Sequence, residues 1–269
     1  MKKKPVAKTR TAKQGIAALP WNTLLADTLN FDIIYPSGTR VLEIHYGSSA
    51  QTILLATNNP GAKFVSHDIS RSPADNIKKL LSKAKLRNVV PSAGPLSSLP
   101  YKNGSFDHVF VSFALEAVAD LKATAKHLYD LIKPGGTITA LETDYGSCCF
   151  YPVTREATTT WHAMLRVRQE KSENPYIGRQ LFPLLKGSGF DYVNISQRTM
   201  YLDSRRSIQL SRFMQSTILP MVQSSRRSAL LKKFVVAKTF TKGLKDIESI
   251  PTIPEGTFFL TFFRAVAGK

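Results

Sequence analysis

Residues Ser105–Asp144 read SFDHVFVSFALEAVADLKATAKHLYDLIKPGGTITALETD. An apolar run at His108–Phe113 is followed by helical spacing of apolar residues over Leu121–Ile132. A Lys133-Pro134-Gly135-Gly136 stop comes next, and then a second apolar run at Thr137–Glu142. Pro cannot extend a helix and paired glycines turn the chain, so the stretch predicts strand, helix, turn, strand. Two buried strands joined through a helix form one crossover unit of a parallel sheet.

The same alternation extends upstream. Arg40–Ile44 predicts a buried strand, Ala50–Thr57 a helix, Lys63–His67 a strand ending at Asp68, Pro73–Ala84 an amphipathic helix, and Asn88–Pro91 a short strand. Trp21, Leu24, Leu25 and Leu29 share a helical face, predicting a further helix over Trp21–Phe31 against the sheet edge. Downstream, Tyr145–Pro152 reads as a loop, Thr154–Lys171 and Arg179–Gly187 as helices, and Tyr192–Ser196 as a strand. Leu202–Lys233 reads as two helices separated at Pro220, and Gly256–Ala267 as a closing strand inserted into the sheet. The expected organisation is a basic flexible arm over 1–14 and a single domain over 15–269, with cap elements near 145–190 and 202–245.

Composition bounds the function classes. With 269 residues and 43% hydrophobic content the chain can bury a full core, and no apolar run reaches the roughly 20 residues of a membrane span. Cys148 and Cys149 are adjacent, which excludes a disulfide framework and leaves too few ligands for a metal site; a cytoplasmic location is expected. The net charge of +18 concentrates in Met1–Lys13 and between Arg198 and Lys245. Such surfaces attract nucleic acid, anionic membrane or acidic small molecules, or simply keep a protein in solution.

Glu43-Ile44-His45-Tyr46-Gly47-Ser48-Ser49 at the end of the first strand, Asp68 ending the second, and Ser105-Phe106-Asp107-His108-Val109 resemble the class I S-adenosylmethionine-dependent methyltransferases. Asn174-Pro175-Tyr176-Ile177-Gly178-Arg179 and Gly256-Thr257-Phe258-Phe259 are similar to segments of the type 11 small-molecule group, which includes quinone-ring methylases. The resemblance implies an α/β fold: a Rossmann-like, mostly parallel seven-stranded sheet with helices on both faces and a helical cap. It implies S-adenosylmethionine as cofactor and S-adenosylhomocysteine as product. The partner it implies is a small, anionic or aromatic acceptor, ahead of nucleic acid.

Carried over position by position, the resemblance assigns cofactor contacts to Glu43, His45, Gly47, Ser49, Asp68, Ile69, Pro95, Leu96, Ser112 and Phe113. His45 and Ser49 replace two glycines of the family's turn, and Pro95 replaces an acid that meets the adenine amine. The acceptor would meet Asp144, Tyr145, Tyr176 and Arg179, with Trp21 as a lid. Candidate bases are His45, His162 and Tyr176; His67, His108 and His127 read as structural. Because His45, Ser49, Pro95 and Ala117 depart from the pattern, a non-catalytic binding protein on this fold stands as one alternative, and the basic arm and stripe support another, an RNA or protein methyltransferase.

Overall fold

The computed structural model describes residues 33–47, 50–70, 78 and 81–269. The basic arm, the helix expected over Trp21–Phe31, Ser49, and most of the helix expected over Pro73–Ala84 lie outside the described residues. Seven strands form one sheet: β1 (Arg40–His45), β2 (Lys63–Asp68), β3 (Val89–Ala93), β4 (Phe106–Ser112), β5 (Ile132–Tyr151), β6 (Tyr192–Leu202) and β7 (Thr257–Gly268). Their order is β3-β2-β1-β4-β5-β7-β6, with β1 to β5 parallel and β7 antiparallel to both neighbours. The described helices are α1 (Ala50–Asn58), α2 (Leu121–Leu131), α3 (Arg155–Glu170), α4 (Ile177–Gly187), α5 (Ser207–Phe213), α6 (Leu219–Leu231) and α7 (Ala237–Ser249).

Period-two alternation divides the core. Leu42 and Ile44 of β1 join Val109, Val111, Ile138 and Ala140 on the face covered by α2 and α4. Val41 joins Phe64, Phe110 and Leu141 on the opposite face, with Leu55 of α1 and apolar residues of α3, α6 and α7. Successive strand side chains point to opposite faces, so a sheet buried on both sides needs apolar residues at nearly every position. Polar residues inside it therefore stand out, and Glu43, His45 and Ser66 are all buried.

Three expectations are corrected. Tyr145–Pro152 is not simply a loop: β5 runs from Ile132 to Tyr151 because β7 pairs with it over Thr137–Asp144 and again over Cys149–Tyr151. A register shift between Asp144 and Cys149 absorbs the surplus residues, and Ser147 Oγ takes the freed amide of Thr261 at 3.0 Å. Pro220 does not separate two helices; it stands in the first turn of α6, where its missing N–H costs nothing, and the irregularity is a π-helical turn at Met214–Ile218. The strand expected over Tyr192–Ser196 continues to Leu202, and α7 is a helix that residue spacing did not predict.

Helix α7 lies against α3 because Gly243 lets the backbones approach. A Cβ there would stand 2.6 Å from the Glu156 carbonyl carbon. Gly243→Ala therefore forces the two helices apart, and a loss of about 1–3 kcal/mol in denaturant unfolding is expected despite alanine's better helix propensity. An unchanged midpoint would show that this contact yields freely.

Candidate functional site

The strand order reverses between β1 and β4, and the crevice beyond their carboxyl ends is where an open parallel sheet receives a ligand. Three residues end up side by side there by register: His45 of β1 lies between Asp68 of β2 and Ser112 of β4. The turn after β1 depends on Gly47, whose φ of +71° lies in the left-handed region. Asp68 fixes this turn, with Oδ1 accepting from Gly47 N at 2.9 Å and from Ser70 N at 2.8 Å. Among the described residues no hydrogen bond reaches its Oδ2.

The imidazole of His45 does not displace this turn. It is buried, with Nε2 3.1 Å from Ser66 Oγ. Ser66 Oγ donates to Glu43 Oε2 at 2.6 Å, and Thr52 Oγ1 donates to the same oxygen at 2.7 Å. With the Ser66 proton committed to Glu43, Nε2 of His45 carries the hydrogen and Nδ1 is left as an acceptor. Nδ1 lies 4.0 Å from Asp68 Oδ1, beyond hydrogen-bond reach, and has no partner among the described residues. Glu43 Oε1 and Ser112 Oγ are likewise buried and unpaired. Three orphaned polar atoms at one strand edge suit a ligand bearing hydroxyl and ammonium groups, since native interiors rarely leave such atoms unsatisfied.

Next to this edge, Ile69, Pro95, Leu96, Ala117, Val118 and His127 line a cavity of about 650 Å³. Its walls are mostly apolar, as a flat heteroaromatic ring requires. His127, read from sequence as structural, also lines it, and among the described residues its buried Nε2 has no hydrogen-bond partner. His67 bridges Ser92 Oγ at 3.0 Å and the Gly94 carbonyl at 2.9 Å, and burial holds its pKa below the usual value against the pull of that carbonyl. His108 bonds Thr137 Oγ1 at 2.9 Å. Phe113 has φ +50°, unusual for a bulky residue, and its ring packs edge-on against Phe262 at 5.9 Å.

A second cavity, of about 380 Å³, lies beyond β4 and β5, lined by Glu116, Tyr145, Arg168, Met221 and the π-turn residues Ser216 and Thr217 among others. Its wall is held by Arg168 of α3, which reaches Glu116 at 3.0 Å, Glu173 at 2.6 Å and lies 4.7 Å over the Tyr145 ring. Burial opposes the charge on Arg168, yet Glu116, Tyr145 and Glu173 hold it above the usual arginine range. Burial also raises the Glu116 carboxyl, with Arg168 pulling the other way.

Glu142 stands near this wall, fully buried. Its Oε1 accepts from Ala114 N at 3.0 Å and Leu115 N at 2.8 Å, and among the described residues Oε2 has no partner. Burial, aided by the charge on Glu116, pushes its pKa up from 4.5 to about 8, against the two amides. Between those values the folded chain holds a proton that the unfolded chain has released, so stability falls as pH rises, by at most about 1.4 kcal/mol per pH unit. Glu142→Gln keeps the two amide bonds and cannot ionise. Its melting temperature should fall less than the parent's between about pH 5 and about pH 8. Parallel melting curves would contradict this placement of the proton.

The expected acceptor residues divide. Tyr145 faces the second cavity, whereas the Asp144 carboxylate is taken by Arg179 Nε and Nη2 and by Gly146 N, with the guanidinium 5.3 Å over the Tyr176 ring. Tyr176 and Arg179 do not line the second cavity. Alternation along β5 separates neighbours 144 and 145. His162 is exposed on α3, on the side away from the buried stripe of Trp161, Met164 and Leu165. None of His45, His162 and Tyr176 is among the described residues lining the second cavity. Trp21 and Ser49 lie outside the described residues. Sequence reasoning missed Glu142 and Arg168. A cation at helical spacing from Trp161, Met164 and Leu165 was the available signal, because an arginine on an apolar face needs a buried partner.

Residues 42–140 match a family model described as a methyltransferase domain. Demethylmenaquinone methyltransferases are similar over 107 residues: that of Anoxybacillus flavithermus is 31% identical, over 39% of this chain and 45% of the relative. That of a Geobacillus strain is 29% identical, over 39% and 46%. The chain thus spans about half the length of the curated relatives it matches. Among solved structures, a Haemonchus contortus phosphoethanolamine N-methyltransferase in complex with S-adenosyl-L-methionine superposes with TM-score 0.57 at 16% identity, covering 97% of this chain and 58% of that one. The YcgJ protein of Bacillus subtilis gives TM-score 0.57 at 13% identity, over 92% and 98%. The fold is the Rossmann-like fold of the class I methyltransferases.

Proposed function

We propose that this chain transfers a methyl group from S-adenosylmethionine to a small-molecule acceptor, releasing S-adenosylhomocysteine. The observation that carries the reading is the edge formed by Asp68, His45 and Ser112 at the reversal of strand order, beside the cavity lined by Ile69, Pro95 and Leu96. Asp68 would accept a ribose hydroxyl through its unengaged oxygen, since an ionised carboxylate oxygen is an acceptor with no hydrogen of its own. His45 Nδ1 and Ser112 Oγ offer hydrogen-bonding atoms to the amino-acid end. The apolar cavity would hold the adenine by burial, where Pro95 offers no carboxylate to its amine.

The bound cofactor supplies a methyl already activated by its sulfonium. What remains for the protein is orientation and exclusion of water, which together can account for a large part of a bimolecular barrier. The acceptor would occupy the cavity of Glu116, Tyr145 and Arg168, whose ring and guanidinium favour an aromatic or anionic molecule. The neighbouring free thiols Cys148 and Cys149 support a reducing, cytoplasmic setting.

Titration calorimetry with S-adenosylmethionine and S-adenosylhomocysteine tests this directly. Binding of both at micromolar to submillimolar concentration is expected. Absence of heat at about 1 mM, a threshold near −4 kcal/mol of binding, would instead favour a non-catalytic protein on this fold.

A further inference from the structure

We infer that the turn joining α6 to α7 docks on an anionic lipid surface. Leu231, the last residue of α6, and Val236, immediately before α7, are 72% and 67% exposed. Neither exposure follows from a need of the local backbone. The turn is closed by main-chain bonds from Lys232 N to Ser228 O at 2.9 Å, Lys233 N to Leu230 O at 3.0 Å and Phe234 N to Ala229 O at 2.9 Å. Leu230 and Phe234 pack inward, and Arg166 lies 4.0 Å over the Phe234 ring. Val236 fills the helix-cap position, where Ser, Thr, Asp or Asn would bond the first amides, and it makes no such bond. An exposed aliphatic group at that position is a local cost that a partner taking up apolar side chains would offset.

The charge around the tip identifies that partner. Residues 204–245 contain ten Lys or Arg and no Asp or Glu. Arg227, Lys232, Lys233 and Lys238 surround Leu231 and Val236 in sequence, and all four are exposed. Lys232 pairs with Glu170 at the end of α3. Aliphatic tips ringed by cations fit the boundary between phospholipid headgroups and acyl chains, where the cations meet lipid phosphates and the side chains leave water. Nucleic acid rewards the cations but gives no return for exposed leucine and valine, and no exposed aromatic ring stands at this turn to stack on bases.

The tip also lies close to the second cavity. Ser224 lines that cavity, and Leu231 is seven residues further along the same helix, about 10 Å at 1.5 Å per residue. Docking would therefore hold the cavity near the lipid surface. Vesicle binding requires neither cofactor nor acceptor, so it succeeds or fails independently of methyl transfer.

Flotation of the full chain with vesicles tests it. Binding to phosphatidylcholine vesicles containing about 30% phosphatidylglycerol, weakened by salt, is expected, with little binding to phosphatidylcholine alone. The Leu231→Ser, Val236→Ser double variant should bind about tenfold more weakly with a melting temperature no lower than the parent's, since serine at position 236 can cap α7. In a separate Leu231→Trp variant, tryptophan emission should shift to the blue on adding anionic vesicles. The inference is overturned if the parent ignores anionic vesicles, if the double variant binds them as well as the parent does, or if the emission of the Leu231→Trp variant does not move. It is also overturned if single-stranded RNA binds more tightly than vesicles and Lys233→Glu with Lys238→Glu abolishes that binding.

Discussion

Asp68→Asn weakens S-adenosylmethionine binding by about ten- to a hundredfold, the loss expected when a hydrogen bond to a charged group becomes neutral, while leaving the fold intact. The asparagine Oδ1 can still accept from Gly47 N and Ser70 N, so the turn after β1 keeps its shape. What disappears is the second charged oxygen, the one that no described residue occupies. Calorimetry and thermal melting on the same variant separate the two roles. An affinity within threefold of the parent would remove Asp68 from the proposed ribose contact, and a large fall in melting temperature would mark it as a residue of the turn alone.

Arg168→Met destabilises the chain by about 3–5 kcal/mol, because it leaves Glu116 in the interior with its charge uncompensated. The side chains of Arg168 and Glu116 are only 12% and 16% exposed, which places the pair well inside the regime where losing one partner costs more than the pair is worth. The cost should be larger at alkaline than at mildly acidic pH, since Glu116, already raised by burial, can take up a proton once its partner is gone. Denaturant unfolding of Arg168→Met and of the double variant with Glu116→Gln forms the test. The double variant should recover at least half the loss, and a single-variant loss below about 1 kcal/mol would show that water reaches the pair.

Much of the scaffold could be read from spacing. Apolar runs bounded by turn residues located β1, β2 and β4 to within about two residues, because a strand buried on both faces leaves little choice of residue type. The loops were harder. Gly146 and Ser147 carry turn chemistry, yet Tyr145–Tyr151 belongs to β5, since pairing with β7, more than a hundred residues away, outweighs local preference. The same limit hid the site's polar groups. Glu142 reads as an ordinary acid at a strand end, and only its burial, aided by the charge on Glu116, raises its pKa against the amides of Ala114 and Leu115.

The sequence by itself determined an alternating α/β chain, an acid closing its second strand, a lone glycine in the first turn and a strongly basic segment near its end. Those features are local, set by side-chain chemistry and by neighbours a few residues apart. Where the His45 ring would go, which oxygen of Asp68 is engaged, how Arg168 divides itself between two carboxylates, and which aliphatic side chains of the basic segment face water were decided by the tertiary structure. Each depends on a partner distant in the chain, and distance along the chain carries no record of which groups folding brings within about 3 Å of one another.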